Sequence, residues 1–373
     1  MKNVLILYKS MPQYRLEFFS LLHKKLAEKS IHLHLIYGNV DSQGKNDSRE
    51  IDFGQFRPNK FFNLGKKAFI WQPCLAEIET ADLVIVEQAN KLLINYVLLY
   101  RRLVSGKKFA FWGHGSNMQA NEGSLLNRFK RIYSNYTDHW FAYTGNIKHK
   151  LIGNHYPSDK VTVVENAIDT RELINDINSI TQAEVAELRL ALNITEDEKV
   201  LIYCGALYKE KRLDFLIETC DRLYAMGYQF KLMILGGGPL REYVNEEALK
   251  RPWMLMVGPK FGRDKALYFK ISTLFLMPGA IGLAILDAFA FSTPMVTTDY
   301  EFHGPEFEYL VNEYNGIVSK NNLTDYLKAI VELLNKPKRI HQLKVNCEAS
   351  AKKYTVENMV DNFVTGITKT LQV

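Results

Sequence analysis

The chain has 373 residues, 47% hydrophobic and 24% charged, with a formal net charge of +6. That length exceeds what one core organises and predicts two domains or three. The absence of low-complexity tracts and internal repeats excludes disordered, collagen-like and solenoid classes.

The opening M-K-N-V-L-I-L-Y-K holds five apolar residues between Lys2 and Lys9. This is too short for a secretory leader and is shaped like a buried first strand, so the chain is expected to stay in the cytoplasm. Further strands are predicted at 32–37, 83–87, 109–112, 139–143 and 161–164, with helices between them. One helical stretch, K-L-L-I-N-Y-V-L-L-Y-R-R-L-V-S-G-K-K over 91–108, is densely apolar and ends in Arg101, Arg102, Lys107 and Lys108. It is too short to span a bilayer and reads either as a helix packed on a sheet with cations near its C-terminus or as an interfacial membrane contact. After Asn166-Ala167-Ile168-Asp169 the pattern loosens into a polar stretch, 170–183, where a hinge is placed. A second series of strands follows at 200–204, 231–235, 254–257, 273–277 and 294–297, and a last helix over 356–371 has no following strand to serve.

Strands alternating with helices predict an α/β fold of two tandem doubly wound, Rossmann-like units, each with its ligand edge at the carboxyl ends of its strands and facing the other across a cleft. The charge is split between them. Residues 1–150 hold 22 Lys and Arg against 12 Asp and Glu, a balance of +10, and residues 151–373 hold 25 against 29, or −4. The first half is therefore expected to meet an anionic partner: a membrane surface, a lipid-linked phosphate or a nucleic acid. No recognisable nucleic-acid-binding module surrounds the basic residues, so nucleic acid is not expected as a partner. Cys74, Cys204, Cys220 and Cys347 are far apart and form no C-x-x-C pair, which fits free thiols and speaks against a zinc or disulfide framework.

Three strand ends in the second series run into polar or glycine-rich turns. In Y-C-G-A-L-Y-K-E-K-R, Gly205 ends a strand, and Lys211 and Arg212 stand at the start of the next helix. Cations there oppose the helix dipole, and a diphosphate supplies a reason for them. In L-G-G-G-P, Gly236, Gly237 and Gly238 precede a proline at a helix start. In P-G-A-I-G-L-A-I-L-D-A, residues 278–288, a strand opens into an amphipathic helix. The N–H groups of Ile281, Gly282 and Leu283 are expected at its positive end, free for an anion. Asp287 is the carboxylate among apolar neighbours there, suited either to ribose hydroxyls or to solvating the helix. In the first half, His114 sits between two glycines after a predicted strand in F-W-G-H-G-S-N, and M-P-Q-Y-R offers Tyr14 and Arg15 toward an acceptor or phosphate from the opposite wall. There is no P-loop, G-x-S-x-G elbow, H-E-x-x-H or D-x-D. A diphosphate would then be handled by Lys, Arg and backbone amides, with no metal and no cofactor expected.

These motifs resemble the GT-B glycosyltransferases of the large retaining group called glycosyltransferase family 4, over most of the chain and most strongly from 161 to 316. V-V-E-N-A-I-D is similar to the hinge motif ending in N-G-V-D. Y-C-G-A-L-Y-K-E-K-R is similar to G-R-L-x-x-x-K-G, which places Lys211 on the family's diphosphate lysine. L-M-I-L-G-G-G-P and P-G-A-I-G-L-A-I-L-D-A-F-A-F-S-T-P resemble the turn and the nucleotide-sugar motif that follow.

The resemblance implies an acceptor-binding domain over 1–168, a nucleotide-sugar domain over 169–352 and a helix over 353–373 crossing back onto the first. It implies catalytic roles for His114 and Lys211 and donor contacts from Gly205, Arg212, Gly237, Gly279, Ile281, Gly282, Leu283 and Asp287, the last on the second glutamate of E-x7-E. The reaction implied is transfer from a nucleotide-diphosphate sugar to a saccharide or lipid-linked saccharide, with retention, in surface polysaccharide or glycoconjugate assembly, the protein peripheral on the inner membrane face. Three positions depart from the pattern. Gly279 stands for the first glutamate of E-x7-E and Ala206 for the arginine of G-R-L, and P-Q-Y-R replaces a glycine-rich loop. Two alternatives stay open: another GT-B enzyme such as a nucleotide-sugar epimerase, or, as the Gly279 departure would signal, a catalytically degenerate sugar-nucleotide-binding protein.

Overall fold

The computed structural model describes residues 1–39, 50–65, 67–114 and 135–373. The chain divides into two compact units, residues 1–169 with 356–373, and residues 170–355.

The first unit is built on a sheet of β1 (Lys2–Tyr8), β2 (Ile31–Tyr37), β3 (Gly54–Phe56), β6 (Leu83–Glu87), β7 (Phe109–Gly113), β8 (His139–Ala142) and β9 (Val161–Val163), with β4 (Lys60–Leu64) and β5 (Lys67–Trp71) forming a separate hairpin. The sheet order is β3-β2-β1-β6-β7-β8-β9, and every pairing within it is parallel. A parallel sheet is covered on both faces, so its strands read as continuous apolar runs. Accordingly Val4 to Tyr8 are all buried. Helices α1 (Leu16–Glu28), α2 (Leu75–Thr80), α3 (Ile94–Ser105) and α4 (Gly145–Gly153) connect the strands.

The C-terminal helix, Val356–Leu371, packs within this first unit against α1, β8 and β9. Its buried residues include Met359, Val360, Phe363, Val364 and Ile367, the spacing of one helical face. Phe363 stacks on Phe141 at 4.6 Å between centroids and meets Trp112 edge-on at 4.9 Å. Gly366 permits that approach, since a Cβ there would come within 2.5 Å of the Phe141 ring.

The second unit carries β10 (Lys199–Cys204), β11 (Phe230–Leu235), β12 (Met254–Met256), β13 (Leu274–Leu276), β14 (Met295–Thr298) and β15 (Gly316–Ser319), in the order β12-β11-β10-β13-β14-β15, again all parallel. Its helices are α5 (Arg171–Ser179), α6 (Gln182–Ala191), α7 (Leu213–Ala225), α8 (Arg241–Leu249), α9 (Gly262–Lys270), α10 (Ala284–Ala290), α11 (Leu323–Leu334) and α12 (Pro337–Lys353).

Several expectations need correction. The polar stretch 170–183 is not loose: it forms α5 and the start of α6. Thr181 accepts from the Glu184 amide, and the Glu184 carboxylate accepts from the Thr181 N–H. This capping box fixes a helix that buries none of its own residues. The β4–β5 hairpin and the four-residue β15 were not anticipated; aromatic runs flanking Leu64-Gly65 were the available signal for the first. The four cations near the end of α3 are held internally. Arg101 pairs with Glu79 at 2.8 Å and Arg102 with Asp138 at 2.7 Å. Lys107 donates to the Glu79 and Ala81 carbonyls and Lys108 to that of Thr370. Among the described residues, no helix is long and apolar enough to cross a membrane.

Candidate functional site

In the second sheet, β11, β10 and β13 are adjacent and parallel, so the three glycine-containing turns after them meet along one rim. Their packing is close. A Cβ on Gly236 would lie 1.9 Å from the Gly205 carbonyl oxygen, and the Leu207 N–H donates to the Gly237 carbonyl at 2.9 Å. Turn-on-turn packing thereby accounts for Gly236 and for Gly238, where a Cβ would fall 2.7 Å from the Leu207 carbonyl oxygen, whereas a Cβ on Gly237 would meet nothing closer than 4.0 Å.

Gly279 is fixed by the same kind of contact. A Cβ there would lie 2.3 Å from the Glu210 oxygen and 2.6 Å from the Lys211 carbonyl carbon, while the Ala280 N–H donates to the Glu210 oxygen at 2.8 Å. The backbone of 210–211 occupies the space that a glutamate at 279 would need. The departure from E-x7-E is therefore a repacked turn, not merely a missing carboxylate.

Lys211 ends a short 3-10 turn, Lys209–Lys211. The residue is only 7% exposed, and its Nζ donates to the Ala280 carbonyl at 2.5 Å and lies 3.8 Å from the Met277 sulfur. Among the described residues, no carboxylate pairs with it. Burial pushes its pKa down to about 8, because an ammonium loses hydration there without a compensating anion.

Asp287, in α10, accepts from Lys265 Nζ at 2.8 Å, both side chains being largely buried. Burial works against the Lys265 ammonium, but the Asp287 carboxylate outweighs it and its pKa is raised. The Cys204 thiol, at the end of β10, is pushed up to about 12, by burial first and by Asp287 second. It stays protonated and unreactive. The structure thus gathers Lys211, Asp287 and Cys204 together with Lys265, which sequence reasoning did not single out; a lysine on an amphipathic helix carries no signal of its own.

The 281–283 turn divides its amides. Contrary to expectation, the Ile281 N–H is not free: it donates to His303 Nδ1 at 3.0 Å. The His303 Nε2–H in turn donates to the Thr298 carbonyl at 2.8 Å, so the ring is the neutral tautomer with Nδ1 as acceptor. Burial lowers the His303 pKa, with Lys211 acting in the same direction and the Thr298 carbonyl and Asp299 against it. The Gly282 and Leu283 amides have no protein acceptor among the described residues.

Arg212 parts company with Lys211. Its backbone is left-handed, with φ 56°. Its guanidinium donates to Asn321 and lies over Phe215 at 4.0 Å and Tyr300 at 5.2 Å. There it lines a cavity of about 520 Å³ with Tyr243 and Tyr300.

In the first unit, His114 follows β7 and is exposed, its ring edge-on to Tyr143 at 4.6 Å; Gly115, Ser116 and Asn117 lie outside the described residues. Tyr14 is half exposed, but Arg15 is a correction. It is 2% exposed, donates to the Ala167 carbonyl at 3.1 Å and to Asn166, and lies over Trp112 at 5.3 Å. Held through its two Nη atoms, this buried guanidinium ties the start of α1 to the 166–167 turn and is not presented to an acceptor.

Residues 184–353 match the family described as Glycosyl transferases group 1. An uncharacterized glycosyltransferase of Methanocaldococcus jannaschii is 28% identical over 167 residues, covering 43% of this chain and 41% of the relative. The alpha-monoglucosyldiacylglycerol synthase of Acholeplasma laidlawii is 23% identical over 203 residues, 52% of this chain and 49% of the relative. The matched stretches thus span under half the length of either relative. Among solved structures, Anabaena HepE in complex with UDP aligns with a TM-score of 0.70 at 15% identity, over 99% of this chain and 100% of that one. Residues 184–353, the second unit but for its first and last few residues, thus resemble the group 1 glycosyltransferases, and the two parallel α/β units share the GT-B architecture of the solved neighbours.

Proposed function

We propose that this protein transfers a sugar from a nucleotide-diphosphate sugar, held by the second unit, to a saccharide or lipid-linked acceptor, with retention and without a metal ion. The observation that carries the reading is Lys211: a buried ammonium, unpaired by any carboxylate among the described residues, at the rim where the Gly282 and Leu283 amides lack acceptors. An anion at this rim would restore the charge balance that burial removes. As the bond between the anomeric carbon and the phosphate oxygen breaks, the diphosphate departs with the bonding pair. Lys211 and the two amides then face the charge that develops, while the acceptor oxygen forms the new glycosidic bond and gives its proton to the departing phosphate oxygen. Asp287, steadied by Lys265, would accept from the ribose hydroxyls, and His114 would lie against the sugar. Arg212, held between Phe215 and Tyr300, would contribute to the field at the rim without touching the phosphates in this side-chain position.

The relative named as a diacylglycerol glycoside synthase and the structural neighbour holding UDP support a lipid-linked acceptor and a uridine donor. The test is donor hydrolysis and UDP binding by the full chain in the presence of EDTA, wild type against Lys211→Met. Wild type should release free sugar slowly, and the variant should lose both hydrolysis and most UDP affinity while melting at or above the wild-type temperature, because a buried charge has been removed. Unchanged UDP affinity in the variant, or dependence on a divalent metal, would refute the assignment. The packed Gly279 turn favours one rival, a sugar-nucleotide binder without activity; binding without sugar release would identify it.

A further inference from the structure

Helices α5, α9, α10 and α12 of the second unit frame a cavity of about 480 Å³, within the size range of small-molecule sites. The turn 291–293 that closes it leads into β14, and Lys270 at the end of α9 precedes β13. The cavity therefore lies toward the amino ends of the strands, away from the carboxyl-edge rim of Lys211. Its walls are apolar: Ile177, Phe269, Phe289 and Phe291 are all buried. Against them stand Lys270, Lys344 and Lys352 with Glu348, three ammonium groups to one carboxylate.

Two of these cations have an ordinary reason to be there. Lys270 and Lys352 stand in the last turns of α9 and α12, where the helix dipole favours positive charge, and Lys270 also donates to the Ile177 carbonyl at 3.2 Å. Lys344 has neither reason. It lies in the middle of α12, partly buried, and among the described residues no hydrogen bond or ion pair engages its ammonium. Glu348 is one turn away, at the spacing of a helical ion pair, yet it accepts from the Ser292 hydroxyl at 3.2 Å. Burial lowers the Lys344 pKa; the Cys347 thiol opposes this and Lys270 adds to it. An ammonium set beside aromatic walls with no anion on it is a pattern that an anionic ligand completes.

We propose that this cavity binds a small organic anion, its ring or short apolar chain against Phe269 and Phe291 and its carboxylate or phosphate on Lys344, and that this ligand is an effector of the donor rim. Phe291 is the shared wall. Its ring stacks on Phe269 at 4.5 Å and lies 5.5 Å from Lys265 Nζ, the ammonium that holds Asp287 at 2.8 Å. Lys265 and Phe269 are one turn apart on α9, and Asp287 and Phe289 share α10. A ligand packed on Phe291 restrains the ring under Lys265, and with it the ion pair that would meet the ribose. A wall already ordered by one ligand costs less to order for the other. The effect on the donor rests on the glycosyltransferase reading, but the cavity and its charge do not.

The test is titration calorimetry of the full chain with naphthoate, naphthyl phosphate and the neutral naphthalenemethanol, wild type against Lys344→Gln and Ala351→Phe. Wild type should bind at least one of the two anions at a single site, about tenfold or more tighter than the alcohol, and the tighter anion tells carboxylate from phosphate. Lys344→Gln should erase that preference while melting at or above wild type, since an unpaired ammonium is gone. Ala351→Phe, which fills the cavity from α12, should abolish binding of all three. UDP affinity should rise about fivefold in saturating anion, and the anion's affinity by the same factor in saturating UDP. No saturable binding, no preference for an anion over the alcohol, or equal binding by wild type and variants would overturn the site. Anion binding that both variants lose, with UDP affinity unmoved, would overturn the effector role. Anion binding by a chain that binds no UDP would sustain the site while sinking the donor reading on which the effector role rests.

Discussion

Gly279→Ala is the sharpest probe of the donor rim. A Cβ at 279 would sit 2.3 Å from the Glu210 oxygen and 2.6 and 2.7 Å from the Lys211 carbonyl carbon and oxygen, so the two turns must separate by about 1 Å to reach ordinary contact distance. Overpacking of that size costs about 1–3 kcal/mol. Separation also stretches the Ala280 N–H bond to the Glu210 oxygen, now 2.8 Å, and weakening it adds about 1 kcal/mol. A total of about 2–4 kcal/mol in a domain of this size lowers the melting temperature by roughly 5–15 °C. The same displacement moves Lys211 Nζ off the Ala280 carbonyl, so UDP affinity should fall by about tenfold. Differential scanning fluorimetry with and without UDP, followed by titration calorimetry, measures both. A variant that melts within about 1 °C of wild type and binds UDP equally would show that the turns are not in this contact. Gly279→Glu, which restores the residue of the resembled motif, should be worse than alanine; a gain in sugar transfer would refute the repacked-turn account.

Three further outcomes follow from the same geometry. His303 is neutral where folded and titrates near 6.5 when unfolded, so its lowered folded pKa contributes stability that is present above pH 6.5 or so and lost as pH falls toward the folded value. His303→Gln, which keeps an acceptor for Ile281 without titrating, should flatten the acid side of a melting-temperature profile, and an unaltered profile would exclude this contribution of His303. Lys211, with a pKa near 8 when the rim is empty, binds an anion only as the ammonium, so UDP affinity measured by calorimetry should decline by up to about tenfold per pH unit above 8; a flat profile would mean that another cation carries the contact. Phe363→Ala, by emptying the space between Phe141 and Trp112, should cost about 3–5 kcal/mol of first-unit stability in chemical denaturation and leave UDP binding by the second unit intact.

The periodicity of the chain carries much of this architecture. Continuous apolar runs such as Val4 to Tyr8 and Val200 to Cys204, five residues long and containing β-branched and aromatic residues, read as strands buried on both faces, and their alternation with amphipathic segments leaves a parallel sheet covered by helices as the economical solution. The glycine-bearing turns after β10, β11 and β13 were legible for the same local reason. The partners that decide what each polar group can do were not, because they lie far away along the sequence. Arg15 is spent on a carbonyl 152 residues on, and the Ile281 amide on a histidine 22 residues on. Lys211 and Arg212, adjacent in the chain, turn to Ala280 and Asn321 respectively. Sequence could name the lysine, the aspartate and the turns. Only the folded sheet order, which sets three turns side by side, determined that Gly279 has no room for a side chain and that Lys265 stands behind Asp287.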